Sequence, residues 1–369
     1  MFFLNRSTRI SMALTEKQYA HIREELDNCT KPLIFFHDDP DGLTSFLLLY
    51  RYKREGKGIP VKTTPRVDVK FLPKVEEYQP DKIFGVDLAL VDQDFIDRAK
   101  VEGKQVPIVW IDHHQPLERE NIQYFNSRNP PNPVNECGAY LCYHVVKDAR
   151  PEDLWICAMG CIGDWFFPPL MEDFRKQYPD LLPAEITKPE DALFNSKLGE
   201  LVKIISFILK GKISEVMKCV KIMTRLESPY EIINQTTSRG KYLFKRAEEI
   251  DKDYRKLLAT ALEFVDENDK KLIVFKYKHQ NYSFTKELAN EILYRFPDKH
   301  LIIGREKNDE VKCSLRGSDL NLPPLVEKAL EGVDGFGGGH EHACGVALKL
   351  NDFDRFVDNF KRAVSELKK

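Results

Sequence analysis

Short apolar runs alternate with helically spaced segments along two stretches of the chain. Residues 31–37, Lys-Pro-Leu-Ile-Phe-Phe-His, form a run of strand length; 38–42 is rich in turn formers, and 43–53 carries apolar positions at helical spacing. Residues 82–87 and 106–112 repeat the strand pattern, and each run ends in a carboxylate, Asp87 or Asp112. Strands that are apolar throughout are covered on both faces, so with helices between them they predict a parallel sheet whose ligands bind beyond the carboxyl ends. Helices are predicted over 138–147 and 152–162, the second leading into Gly163, Asp164 and Trp165. From about 169 to 266 the spacing is helical, with Leu198, Leu201, Ile204, Ile205 and Ile208 on one amphipathic face. Alternation resumes at Lys271, with extended segments over 272–277, 301–304 and 310–315 and helices over 285–295 and 324–330. A glycine-rich stretch over 335–340, an extended segment over 343–350 and a helix over 353–367 close the chain. The pattern predicts an α/β protein: an extension over 1–30, a parallel-sheet domain over 31–170, a helical connector over 171–268 and a smaller C-terminal α/β domain over 269–369, with the site in the interdomain cleft.

A length of 369 residues agrees with two or three domains. Lys and Arg number 56 against 58 Asp and Glu, a formal charge of -2, so nucleic-acid affinity would need a local patch and a general DNA-coating role is disfavoured. No apolar run approaches the roughly 20 residues that span a bilayer. Asn5, Arg6 and Arg9 interrupt the apolar start before a secretory core can form, so a cytoplasmic location is expected. The 8 cysteines lack a tight C-x-x-C pair and read as reduced, buried small side chains.

Chemistry concentrates at the strand ends. His37, Asp39 and Asp41 are spaced by two, so an extended backbone turns all three to one side, and Pro40 keeps Asp39 out of the helical region. Read alone, the segment is equally a polar helix cap. Asp87, Asp112-His113-His114 and Asp164 change that picture, because five carboxylates gathered in one crevice repel one another unless divalent cations compensate. Imidazole and carboxylate donors without thiolate favour Mn²⁺ over Ca²⁺ or a structural Zn²⁺, with Mg²⁺ less suited to histidine. The ligand number implies two ions, an arrangement suited to phosphoester hydrolysis. In the C-terminal domain Lys312, Ser314 and Arg316 alternate with Val311, Cys313 and Leu315, and a guanidinium binds two phosphate oxygens at once, so Arg316 is the candidate phosphate clamp. Gly337, Gly338 and Gly339, with His340, suggest a backbone nest that grips an anion.

These residues resemble the DHH phosphoesterase family. Its first motif, H-x-D-x-D-G, stands here as His37, Asp39, Asp41 and Gly42, its second as Asp87, its third, D-H-H, as Asp112, His113 and His114, and its fourth as Asp164. The C-terminal part resembles the DHHA1 domain, whose G-G-G-H-x-x-A-x-G motif stands as Gly337, Gly338, Gly339, His340, Ala343 and Gly345. The resemblance implies a parallel-sheet DHH domain followed by a DHHA1 substrate-binding domain. It also implies His37, Asp39 and Asp87 as ligands of one Mn²⁺ and Asp41, Asp87, His113 and Asp164 as ligands of a second, with Asp87 bridging. His114 would touch the scissile phosphate and Asp112 would orient the histidines, these two being the catalytic pair.

Within the family the chain is similar to the RecJ-like single-strand exonucleases, on residues 35–45 and on Ser314-Leu-Arg-Gly. That implies exonucleolytic hydrolysis of single-stranded DNA or RNA by a water activated by two Mn²⁺, with Mg²⁺ as the alternative, and replication or repair proteins as partners. No appended OB-type domain and no basic stripe is legible, which keeps a short-oligonucleotide or cyclic-dinucleotide phosphodiesterase as the second reading. An inactive replication-complex scaffold is the third, and the complete ligand set argues against it.

Overall fold

A computed structural model describes residues 13–62, 65–130, 133–266, 271–278 and 281–367. The chain divides into two compact units: one runs to Leu209 and takes in Ile213–Lys245, and the other holds Lys210–Lys212 and Arg246–Lys369. The helical stretch expected as a connector over 171–268 is therefore shared between the units. The first twelve residues of the expected extension lie outside the described residues, and Glu16–Asp27 forms α1, opened by a capping box between Thr15 and Gln18.

In the first unit β1 (Pro32–His37) is followed by α2 (Pro40–Lys53), β2 (Lys57–Val61), β3 (Lys82–Val86), β4 (Ile108–Asp112) and β5 (Gln123–Asn126). The five strands make one wholly parallel sheet in the order β2-β1-β3-β4-β5. Every residue of β4 is buried, as a strand covered on both faces requires. This order reverses between β1 and β3, and the crevice at the carboxyl ends of those two strands is where such sheets bind ligands. Helices α3 (Gly138–Val146) and α4 (Leu154–Gly163) pack beside α2, and α5 (Pro189–Asn195) and α6 (Lys197–Ile208) follow.

The approach of α4 depends on glycine. A Cβ at Gly160 would stand 2.2 Å from Thr44 Oγ1 and 2.3 Å from Ala139 Cβ. All eight cysteines are free and buried, as the sequence suggests. Among the described residues no helix is long and apolar enough to cross a membrane.

His144 on α3 stacks on Tyr19 at 5.4 Å and has Lys147 Nζ 3.0 Å from Nδ1. Burial, and then the Lys147 charge, push the imidazole down to about 4. The folded chain therefore prefers the neutral ring, and the unfolded chain takes up the proton first. The contribution to stability is full above about pH 6.5 and is lost as the pH falls towards 4. His144→Leu is expected to flatten the fall in unfolding free energy, read by urea titration, between pH 7 and pH 4.5, by at most about 3 kcal/mol. An unchanged pH dependence in the variant would remove His144 from the acid response.

The second unit takes the C-terminal part of α7 (Ser238–Asp266), then β6 (Leu272–Lys278), α8 (Thr285–Arg295), β7 (His300–Lys307), β8 (Glu310–Arg316), α9 (Leu322–Ala329), β9 (Gly335–His340), β10 (Ala343–Lys349) and α10 (Phe353–Glu366). Its sheet runs β6-β7-β8-β10-β9, parallel between β6 and β7 and antiparallel elsewhere. Val311, Cys313 and Leu315 join Phe356 and Phe360 in the core under α9 and α10.

The glycine run corrects the sequence reading. Gly335–His340 is an edge strand rather than a nest, with its first five residues exposed and its backbone paired along β10. A tertiary partner supplies the strand that glycine's low intrinsic preference hides.

Candidate metal centre

The ligand-bearing segments are placed by the sheet and by helix ends. His37 closes β1, and the extended spacing expected through Asp41 stops at Asp39, which is the N-cap of α2 and accepts the Gly42 N–H at 3.0 Å. Pro40 opens the helix, where its missing N–H costs nothing, so Asp41 enters the cluster from the first helical turn. The cap reading and the ligand reading thus both apply to this segment. Gly42 is required by space: a Cβ there would lie 2.3 Å from the His37 carbonyl oxygen.

Asp41 also caps a second helix from a distance. Its Oδ2 accepts the Gly138 N–H at 2.8 Å and its Oδ1 the Ala139 N–H at 2.7 Å, at the start of α3. Asp87 follows β3 directly and takes φ +51°, a left-handed conformation that Asp tolerates better than most residues. Asp164 caps the C-terminus of α4, and Gly163 beside it leaves room for Pro40, whose Cβ a side chain would meet at 2.6 Å.

The side chains meet in three overlapping triads: His37, Asp39 and Asp87; Asp87, His113 and His114; and Asp41, His113 and Asp164. His37 Nδ1 lies 3.3 Å from both Asp39 Oδ2 and Asp87 Oδ2. His113 Nε2 is 3.2 Å from Asp87 Oδ1 and 3.7 Å from Asp41 Oδ2, while its Nδ1 is 3.7 Å from Asp164 Oδ2. His114 Nδ1 is 2.8 Å from Asp112 Oδ1, and Asp112 Oδ2 accepts the His114 N–H at 3.1 Å. Tyr124 and Asn126 donate to the same oxygen, each at 3.4 Å. Asp112 is therefore a fully buried anchor for the His114 ring.

Burial pushes the Asp41 carboxyl well above its usual range, and the Asp87 and Asp164 charges push the same way. Burial and Asp39 also act to raise Asp87, but the His113 and His37 rings outweigh them and hold it low. On His37 and His113 burial disfavours the proton; the surrounding carboxylates reverse this and hold both rings well above their ordinary value. Asp87 Oδ2 is buried and has no hydrogen bond of good geometry. Such a donor set, balanced by protons when no cation is bound, fits divalent ions.

In the second unit the register Arg316↔Ala343 and Ala343↔His340 sets Arg316, Ala343 and His340 in one row across three strands, on one face. Arg316 Nε donates to Asn290 Oδ1 at 2.7 Å, and burial pushes its guanidinium down to about 10, still charged at neutral pH. Ser314, Gly345 and Gly338 form the next row on the same face.

Residues 31–160 match the model of the DHH family, N-terminal domain, and residues 251–366 match the DHHA1 domain. The chain belongs to the DHH–DHHA1 family. Solved structures share its fold. The exonuclease RecJ bound to manganese aligns with a TM-score of 0.65 at 15% identity, over 96% of this chain and 96% of its own. RecJ from Thermus thermophilus in complex with Mn²⁺ gives 0.66 at 16%, over 95% of this chain and 55% of its own. The DHH domain of a member of the s1p family of ribosomal proteins gives 0.68 at 16%, over 96% and 93%. No curated protein matches the chain.

In this DHH–DHHA1 chain the fold brings together His37, Asp39, Asp41, Asp87, His113, His114 and Asp164, with Asp112 behind them. Two neighbours escaped the sequence reading. Asn135 Oδ1 lies 3.4 Å from His113 Nδ1 and accepts from Arg128 Nη2 at 2.7 Å, which ties a guanidinium to the DHH histidine. Arg128 stands just past β5, so the strand-end rule that singled out the acids points to it as well. The other is Trp165, next to Asp164, held at φ +58° where a bulky residue costs about 1–2 kcal/mol.

Proposed function

We propose that this DHH–DHHA1 protein is a metal-dependent phosphodiesterase that removes nucleotides from an end of single-stranded nucleic acid in the RecJ-like manner. The observation that supports this reading is the set of ligand triads sharing Asp87 and His113 at the carboxyl ends of a parallel sheet. Two Mn²⁺ ions, or Mg²⁺ in their place, would be held by His37, Asp39 and Asp87 and by Asp41, Asp87, His113 and Asp164. Bound there, such ions neutralise phosphoryl oxygens and acidify water for in-line attack. Asp87 keeps the two ligand sets together. Asp112 takes the Nδ1 side of His114, which leaves Nε2 as the nitrogen that meets the phosphate. Arg316 and His340, with the bare backbone of Gly337, Gly338 and Gly339, bind phosphate and sugar.

The test is direct. The purified chain with Mn²⁺ should release mononucleotides from end-labelled single-stranded DNA or RNA. Turnover confined to dinucleotides would favour the short-oligonucleotide reading, and no turnover of any phosphodiester would refute both and favour a scaffold. Arg316→Ala is expected to raise KM about 10-fold or more with kcat nearly unchanged, because a charge-assisted contact is lost from ground and transition state alike. An unchanged KM would count against the clamp.

A further inference from the structure

We propose that the open face of the second unit's sheet carries a further nucleotide subsite, in which Lys312 takes a phosphate and Phe336 stacks the base. The assignment rests on the phosphodiesterase reading and makes the substrate a strand longer than a dinucleotide. Cross-strand partners share a face of the sheet, so the pairs Phe336↔Ala347 and Lys312↔Ala347 set these three residues in one row. That row lies four residues along β10 from the row of Arg316, Ala343 and His340, roughly 13 Å away or about two steps of an extended nucleotide strand. Phe336 and Lys312 flank the small side chain of Ala347 at two strand spacings, roughly 10 Å, which a base and its own phosphate can bridge.

The floor between the two rows is bare. Gly338 and Gly345 pair there, and a Cβ at Gly338 would meet nothing within 4 Å, while one at Gly345 would reach only the Cys313 carbonyl oxygen, at 4.0 Å. Both φ angles lie outside the left-handed region, so neither packing nor backbone conformation calls for glycine at either place. Gly337 differs, since its Cβ would stand 2.7 Å from Val346 Cγ2 on the core face. The two bare positions leave room for a ligand that comes close to the backbone. Phe336 is 64% exposed, the one phenylalanine among the described residues to stand on the surface. Half-buried Lys312 stands opposite Arg305 in the register, and like charges so placed repel until an anion lies across them. No Asp or Glu occupies the three rows on β8, β10 and β9. Cations, an exposed ring and an uncovered floor fit a polyanion with flat faces, and only an unpaired strand offers both phosphates and open bases.

A length series tests the subsite. With metals chelated, the anisotropy of labelled oligothymidylates should show the intact chain holding an octamer about 10-fold or more tighter than a dinucleotide, which cannot span both rows. Phe336→Ala and Lys312→Ala should each weaken the octamer about 10-fold and move the dinucleotide by less than about 2-fold, and Phe336→Trp should keep the octamer bound. Lys312→Ala should also lower the salt slope of octamer binding by about 0.7, the share of one phosphate. An octamer bound no tighter than a dinucleotide, or held by a folded Phe336→Ala chain as by the wild type, overturns the subsite. So does a Phe336→Ala chain that keeps the octamer and changes oligomeric state, which gives the ring to a protein contact. A wild-type chain that grips the octamer through these residues yet cuts no phosphodiester overturns the activity reading alone.

Discussion

Asp87→Asn is expected to lower Mn²⁺-dependent turnover of single-stranded oligonucleotide by about 10³-fold or more. Asp87 belongs to two of the three triads, with Oδ1 facing His113 and Oδ2 facing His37. An amide keeps the shape and accepts the left-handed backbone at φ +51°. What it removes is the negative charge common to both ligand sets. In the metal-free chain the His113 and His37 rings hold the Asp87 charge, so its loss should lower the urea midpoint of the metal-free variant at neutral pH. Calorimetric titration with Mn²⁺ should show fewer ions bound. A variant with full turnover and unchanged stoichiometry would remove Asp87 from its bridging place.

Asp153→Ala should have the largest effect on stability, a loss of about 3–5 kcal/mol in urea unfolding. Asp153 is fully buried and Arg51 is 3% exposed. Arg51 Nε reaches both carboxylate oxygens at 3.0 Å, and Arg150 Nε donates to one of them at 3.1 Å. Removing the carboxylate leaves a buried guanidinium whose remaining acceptors include the carbonyls of Thr224 and Leu226. Arg51→Met combined with Asp153→Leu should recover most of the loss, because the desolvated charge goes with its partner. If the single change costs under about 1 kcal/mol, the pair is not a structural tie. Location gives the pair its meaning. Arg51 lies near the end of α2 and Asp153 just before α4, while Pro40 and Gly163 meet at the other end of the same two helices. The acids Asp39, Asp41 and Asp164 hang from the glycine-packed end, and the ion pair braces the opposite one.

Much of the first sheet was legible because β1, β3 and β4 carry apolar interiors that run into His37, Asp87 and Asp112, a pattern that buried parallel strands impose. The same logic located His37, Asp87 and the Asp112-His113-His114 run. The start of α2 was not legible, since Pro40 disfavours helix for the residue before it and suits the first position of a helix equally well. β7 runs past its expected end at 304 because Arg305, Glu306 and Lys307 are held by β6 or β8 rather than by their own pattern. Asn135 carries no local signal and Arg128 only its place just past β5; both become site neighbours only when the segment after β5 meets His113.

The edge strand β9 has a consequence for solution behaviour. Its outer rim offers peptide groups guarded by few side chains, the kind of border onto which another polypeptide can zip. Four of its six residues are glycine, so apart from the exposed Phe336 and the partly buried His340 this border offers a neighbour little beyond its peptide groups.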